Sequence, residues 1–138
     1  MSYQPAVFPD IEVVLVGYFR TLPLPSGTLV GISVPVDYDG SQSVVRVNRI
    51  GGPTNWPIAD LPSVEISCWG PDRATAAGLR DIIRLNMTWM VLATADLSEF
   101  GARISNPIER IGPQWLDEEG YVPAGRYFFE VSLGLRNA

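Results

Sequence analysis

Strict alternation of apolar and polar residues near the C-terminal end is the clearest pattern in the chain. The apolar positions are Tyr127, Phe129, Val131, Leu133 and Leu135, and Phe128, Glu130, Ser132, Gly134 and Arg136 lie between them. A shorter alternation sets Val64, Ile66 and Cys68 against Glu65, Ser67 and Trp69. A period of two residues predicts a β-strand with one face on a core. We therefore expect strands over 64–69 and 127–136.

Apolar residues spaced three or four positions apart predict two helices. The first runs over about residues 10–22, with Asp10 as its N-cap and Pro23 beyond its end. The second begins after Asp72, which is expected to be its N-cap and to complement the helix dipole.

The second helix carries a wide apolar surface. Its main stripe is Leu79, Ile82, Ile83, Met87 and Met90, and Leu85, Trp89 and Leu92 extend it sideways. A helix that is apolar around most of its circumference is buried on two sides. We expect one side to pack on the sheet of this chain and the other side to pack on a second surface.

The remaining strands are shorter and are separated by turn residues. They are expected over 28–35, 43–50 and 102–111, with loops over 55–62, 93–101 and 112–125. The element order is α-β-β-β-α-β-β, with short turns between consecutive strands. This order predicts an α+β fold, in which an antiparallel or mixed sheet of about five strands packs against two helices.

The length of 138 residues predicts a single domain. Residues 1–9 contain Pro5 and Pro9 and are expected to form an extended N-terminal arm, and 10–138 are expected to form one α+β domain. The hydrophobic fraction of 46% excludes disorder over the whole chain. Neither a membrane span nor a signal peptide is visible, so residence in a cytoplasm is the default expectation.

Composition removes several kinds of chemistry. The chain has no histidine and one cysteine, so a catalytic serine–histidine or cysteine–histidine pair and an internal disulfide are impossible. Cys68 lies on the apolar side of its strand and is expected to be a small core residue. The net charge of −5 argues against a protein that wraps the DNA backbone.

Acidic residues and glycines leave a few alternatives open. Asp37 and Asp39 flank a turn, and 117–119 form an acidic run, so either could supply carboxylates to Mg²⁺ or Ca²⁺. A plain turn and a solvated loop are the commoner uses of such residues. The segment 51–53 lacks the spacing of a phosphate-binding loop, and Pro53 removes an amide donor, which favours a tight turn.

Arginines and tryptophans are more informative than the acids. Arg73, Arg80 and Arg84 fall broadly on one side of the second helix, where they could contact phosphate but more often form surface ion pairs. The four tryptophans are Trp56, Trp69, Trp89 and Trp115. Tryptophans in loops either cover their own core or lie in protein interfaces. Together with the wide apolar helix, they favour oligomerisation.

One long run resembles a known family. Its motifs are Arg46-Val47-x-Arg49-x-Gly51-Gly52-Pro53, Pro57-x-x-Asp60-x-Pro62-x-Val64 and Cys68-Trp69-x-Pro71-x-Arg73-x-x-Ala76. A Gly-Pro-x-Trp segment and the Arg126-Tyr127 strand follow. Over about residues 10–136 the chain resembles tail terminator proteins of long-tailed actinobacterial phages. The segment 22–35, rich in proline and glycine, departs from that pattern.

The resemblance implies a small α+β structural subunit, not an enzyme and without cofactor or metal, that forms a homo-oligomeric ring, expected to be a hexamer. The ring would cap the tail tube protein in the virion neck, end tail elongation and face the head connector protein, after assembly in the host cytoplasm. DNA would pass through without specific binding, helped by acids that repel phosphate. No membrane is implied.

Particular residues are expected to carry these roles. The candidates for the subunit interface are Leu85, Trp89, Trp56, Trp115 and Arg49, and the candidates for the lumen are Asp117, Glu118 and Glu119, with Asp37 and Asp39 as second choice. Two rival functions stay open: another neck component, such as a head-completion or connector adaptor protein, and, more remotely, a carboxylate-based metal-dependent enzyme.

Overall fold

The computed structural model describes residues 8–55, 59–118 and 125–138. The helices are α1 Ile11–Phe19 and α2 Arg73–Asn86, with short 3₁₀ turns at Leu92–Thr94 and Ser98–Phe100. The strands are β1 Leu29–Gly31, β2 Val44–Gly51, β3 Thr54–Asn55, β4 Ala59–Asp60, β5 Ser63–Trp69, β6 Ala102–Asp117 and β7 Gly125–Asn137.

The strands form one mixed sheet. Its order is β1-β2-β5-β7, with β6 paired to β7. β1 runs parallel to β2, whereas β2–β5, β5–β7 and β6–β7 are antiparallel. The short pair β3–β4 prolongs the β2–β5 hairpin, and Asp60 of β4 also pairs with Leu135 of β7. The predicted α+β class with a mixed sheet and two helices is therefore confirmed.

Both helices pack on one face of the sheet. α1 buries Ile11, Val14, Leu15, Val16 and Phe19, and α2 buries Ala76, Leu79 and Ile83. They cover the alternating apolar rows of the strands, which include Val45, Val47, Val64, Ile66, Cys68 and Phe129, all fully buried. This burial stabilises the domain, because each large aliphatic or aromatic side chain removed from water contributes about 1.5–3 kcal/mol.

Both predicted N-caps are confirmed. The Asp10 carboxylate accepts a hydrogen bond from the amide of Glu12 at 2.9 Å, and the Asp72 carboxylate accepts one from the amide of Thr75 at 2.7 Å. The first helix nevertheless ends at Phe19, short of the predicted residue 22. Its last turn closes through Arg20, and Pro23 follows too closely for the helix to continue.

The predicted stripe of α2 is wrong beyond Met87. The helix ends at Asn86, and Met87 has φ −97° and ψ 1°. The hydroxyl of Thr88 donates to the carbonyl of Leu85 at 2.8 Å, an alternative to continued helix. Leu92 is buried in a 3₁₀ turn, whereas Met90 is 61% exposed.

The predicted loop over 112–125 is also wrong at both ends. β6 continues to Asp117 and β7 starts at Gly125, so the two strands form one long hairpin. Pro107 and Pro113 concealed the strand, because proline lacks an amide donor. Both lie where the β6–β7 register shifts, and such bulges tolerate proline at a sheet edge.

Two smaller expectations also change. The strand expected over 28–35 is confined to Leu29–Gly31, because the chain turns at Pro35, whose carbonyl accepts the amide of Tyr38. The loop expected over 55–62 contains parts of β3 and β4, which are too short to show alternation. Most of the expected N-terminal arm lies outside the described residues.

No helix in the described part of the chain is long and apolar enough to cross a membrane.

Candidate functional site

Exposed apolar side chains gather where α2 ends. Leu85, Trp89 and Met90, which we call the apolar ridge, are 60%, 66% and 61% exposed. The ridge exists because the helix stops at Asn86 and the chain turns, which projects Trp89 and Met90 away from the core. An exposed cluster that includes tryptophan is typical of a contact surface between proteins. Two predicted interface residues, Leu85 and Trp89, thus lie together.

A groove of about 510 Å³ runs beside the apolar ridge. Phe129 and Val131 of β7 and Pro107 of β6 line it, so its wall is largely apolar. At its rim Arg84 donates two hydrogen bonds to the Glu109 carboxylate, at 2.6 and 2.8 Å. This bidentate pair fixes the end of α2 against β6.

Arg49, another predicted interface residue, holds the hairpin together. Its guanidinium donates to both carboxylate oxygens of Asp60, at 2.6 and 2.8 Å, and to the carbonyls of Gly51 and Gly52. Thr54 also donates to Asp60. These hydrogen bonds, with that of Arg49 first, hold the pKa of Asp60 below its usual range.

Trp115, a fourth predicted interface residue, lies on β6 and not in a loop. Its ring meets Tyr127 edge-on at 4.9 Å between centroids, and the Arg73 guanidinium lies 4.7 Å from its ring centre. Arg73 also donates to the Tyr127 hydroxyl at 3.0 Å, which lowers the pKa of that phenol. The ring crosses so close to Gly125 that a Cβ there would lie 2.5 Å from it.

Trp69 lies on the sheet face opposite the helices, as its alternation with Cys68 predicts, and it is nevertheless only 5% exposed. The guanidinium groups of Arg46 and Arg126 lie 5.1 and 5.5 Å from its ring centre. Both arginines are paired with Glu65, at 3.3 and 3.7 Å. Two arginine side chains therefore lie against this tryptophan, a contact that the alternating strand pattern could not predict.

The predicted lumen acids have separate surroundings. Asp117 is exposed and accepts a hydrogen bond from the Trp115 indole at 2.7 Å. Glu118 lies 3.2 Å from the Arg126 guanidinium and is partly buried. The second-choice acids Asp37 and Asp39 are exposed on the connection between β1 and β2. Glu119 and Trp56 lie outside the described residues.

The α2 arginines have partners within the chain. Arg80 pairs with Asp81 at 2.9 Å and stacks on Tyr127, and Arg84 is held by Glu109. Of the two roles considered for these arginines, phosphate contact and surface ion pairing, the structure favours ion pairing for Arg80 and Arg84.

Cys68 is confirmed as a core residue. It is fully buried, and desolvation raises the pKa of its thiol to about 12, which keeps it protonated. Over 8–55, 59–118 and 125–138, no group of three or more acidic or cysteine side chains could hold a metal ion.

Aromatic, aliphatic and arginine side chains dominate the described surfaces, which is the make-up of contacts between proteins. The fold and these surfaces are typical of a structural subunit of a larger assembly.

The chain matches the phage tail termination protein family over residues 7–121. The match covers more than half of the chain, and the protein belongs to this family. It is therefore a tail-terminating structural protein of the phage tail, as the sequence motifs predicted, while the actinobacterial long-tailed type stays a prediction. A search of curated proteins finds no match.

Proposed function

We propose that copies of this protein close into a ring on the end of the tail tube. The ring stops tail elongation and forms the tail side of the head–tail joint in the neck. Its partners are further copies of itself, the tail tube protein and the head connector protein. Family membership supports the terminating role, and the ring accounts for how a small subunit can end a tube and leave a passage for DNA.

The apolar ridge is the observation that carries this proposal. Three large side chains, each about two-thirds exposed, stand together beside an apolar groove. Their burial against a neighbouring copy would remove this surface from water, which is the main driving force of association. The next copy in the ring then supplies the surface that covers the apolar ridge, which one chain leaves exposed.

A cap with a central passage constrains the contact between copies. A ring forms when one surface of each copy binds a different surface of the next and the rotation closes. The resemblance to tail terminators leads us to expect six copies. The net charge of −5 suits a passage through which DNA moves without adhering, because negative groups repel the phosphate backbone.

Mass in solution is the first test. Light scattering over a concentration series, followed by negative-stain imaging with and without isolated tail tubes, separates the outcomes. Rings in solution, or rings that form only on tube ends, support the proposal. A monomer that ignores tube ends would overturn it and return the connector-side adaptor as the better function.

Trp89→Ala should weaken association between copies. It removes a large exposed ring from the apolar ridge, and truncation of such a residue in an interface costs about 2 kcal/mol or more of binding free energy. Light scattering should show a shift toward smaller species, with the thermal midpoint of the monomer nearly unchanged because the side chain is 66% exposed.

Val13→Ala is the matched control for Trp89→Ala. Val13 is 63% exposed on α1 and lies outside the apolar ridge. Its truncation should leave assembly intact. Equal effects of the two substitutions, or native assembly of Trp89→Ala, would remove the apolar ridge from the contact.

A further inference from the structure

A second groove lies on the helix-free face of the sheet, at the end formed by β6 and β7. It encloses about 500 Å³. Leu61 and Ile108, which are 41% and 48% exposed, give it an apolar wall, and Arg110 and Arg136 stand at its rim. We call it the arginine groove. Its residues gave no signal in the sequence pattern, because they come from β4, β5, β6, β7 and from connections in the β2–β5 hairpin.

The arginines around this groove lack acidic partners. Arg103 and Arg136 are directly opposite each other in the β6–β7 register, and like charges in that position repel. Arg110 donates to the Ser132 hydroxyl at 2.8 Å. Among the described residues no carboxylate lies within salt-bridge distance of these three, and the same holds for Arg20 and Arg73. The other five arginines each have such a partner: Arg46, Arg49, Arg80, Arg84 and Arg126.

This concentration of charge is unusual in a protein of net charge −5. Arg110 and Arg136 line the groove, and Arg103 lies next to Arg136 across the β6–β7 pair. Cations beside exposed aliphatic side chains fit a partner that is acidic and partly apolar. Such a partner would relieve the repulsion between Arg103 and Arg136 and bury Leu61 and Ile108 in one step.

The opposite end of the sheet presents that chemistry. The connection from β1 to β2 makes a turn in which the amide of Tyr38 donates to the carbonyl of Pro35 at 3.1 Å. Val36 and Asp37 form the tip of this turn, and Val36 is fully exposed. Asp39 follows, and hydrogen bonds from Ser41 hold its pKa below the usual range, so it stays ionised. We call residues 36–39 the acidic turn.

We propose that the acidic turn of one copy docks in the arginine groove of the next. The assignment rests on the proposed ring and names the residues of its contact. Val36 packs against Leu61 and Ile108, while Asp37 and Asp39 pair with Arg110, Arg136 and Arg103. Asp37 and Asp39 are thereby assigned to the contact between copies and not to the lumen.

The position of the two surfaces suits a ring. The strand order β1-β2-β5-β7-β6 places the acidic turn and the arginine groove toward opposite edges of the sheet, which are about 20 Å apart across the strands at roughly 4.8 Å per strand. Surfaces at opposite ends bind head to tail, which is the arrangement that generates closed rings. The apolar ridge lies beside the same edge strand, β6, on the opposite face of the sheet, so a neighbour that wraps around this edge would contact both.

Charge reversal tests the pairing. One variant carries Asp37→Arg and Asp39→Arg, and the other carries Arg110→Glu and Arg136→Glu. Each variant alone places like charges at every contact in the ring, and its association should weaken at least about tenfold in light scattering and in occupancy of tail-tube ends.

An equimolar mixture of the two variants should assemble again. The reversed turn of one variant then meets the reversed groove of the other, and the two unaltered surfaces meet at the next contact. Alternating rings with complementary charge throughout require an even number of copies, as in the expected hexamer. Recovery by mixing is not expected of variants that merely fail to fold.

Glu99→Arg is the control, because this exposed acid changes charge as Asp37→Arg does but lies outside both surfaces. It should leave assembly unchanged. If wild type forms rings and either charge-reversed variant alone assembles normally, the pairing of turn and groove is wrong but the ring stands. The same conclusion follows if the two variants fail to assemble when mixed. A wild-type protein that neither oligomerises nor occupies tube ends would overturn the proposed function itself.

Discussion

At the scale of single residues, Arg49 and Asp60 join the two halves of a bent hairpin. The β2–β5 hairpin continues into β3–β4 after a break at Gly51–Pro53, and the guanidinium of Arg49 bridges this break. The Asp60 side chain is almost fully buried, so its charge needs the arginine close by. The pair thus fixes the angle at which the hairpin tip leaves the sheet.

Asp60→Asn should destabilise the protein by about 1–3 kcal/mol at neutral pH, because it weakens two charge-assisted hydrogen bonds. The pKa of Asp60 is lowered in the folded state, so its stabilisation is complete above the unfolded pKa of about 4 and is lost as the pH falls through the folded pKa. Urea unfolding should therefore show wild type and variant converging in acid.

Glu99→Gln serves as the control for Asp60→Asn, since it makes a carboxylate-to-amide change at an exposed residue that lies outside both proposed contact surfaces. It should change the free energy of unfolding by less than about 0.5 kcal/mol. If the difference in the free energy of unfolding between wild type and Asp60→Asn does not change with pH, the ion pair does not supply the stabilisation.

At the scale of elements, bends decide which surfaces this fold exposes. α2 stops one turn before the apolar pattern ends, which creates the apolar ridge, and three register shifts bend the β6 edge. The hairpin break has a backbone cause as well: Gly52 has φ +98°, and a Cβ there would lie 2.1 Å from the Leu61 carbonyl oxygen.

Gly52→Ala should therefore destabilise the protein by about 2 kcal/mol or more, because it combines a left-handed backbone with a steric clash. The matched variant is Gly78→Ala in α2, where nothing lies within 4 Å of the added methyl group. That change should stabilise the protein by about 0.5–1 kcal/mol. The midpoint of thermal unfolding should fall for Gly52→Ala and rise for Gly78→Ala. A shift of both midpoints in the same direction would contradict this explanation of the hairpin break.

At the scale of the whole molecule, charge is divided among surfaces. The proposed contact uses Arg103, Arg110 and Arg136, and the remaining acids can then face the DNA passage. Asp117 is the sharpest probe of the proposed lumen, because Glu118 is already paired with Arg126 and its replacement would disturb that pair.

Asp117→Arg should increase the binding of duplex DNA by assembled rings at low salt if this residue lines the passage, since each added cation attracts phosphate. Electrophoretic mobility of labelled DNA at two salt concentrations measures the change. Glu99→Arg, with the same change in charge elsewhere, should have a smaller effect. Equal binding by the two variants would remove Asp117 from the lumen.

Patterns in the amino-acid sequence were sufficient to predict the α+β class, the two N-caps, the strands with strict alternation and the buried Cys68. These features depend on local periodicity and capping, which act over a few residues. The family motifs added the tail-terminating role. Leu85 and Trp89 were predicted to be contact residues because the apolar surface of this segment is wider than packing on one sheet requires.

Several side-chain contacts and the full length of β6 became known from the three-dimensional structure alone. Arg49 proved to bind Asp60, Trp69 proved to be covered, and the 112–117 segment proved to be strand, because each depends on a partner distant in sequence. The arginine groove brings Leu61, from the connection between β4 and β5, together with Ile108 of β6 and Arg136 of β7. Local sequence patterns cannot predict such contacts, because strand pairing and packing between elements bring these residues together.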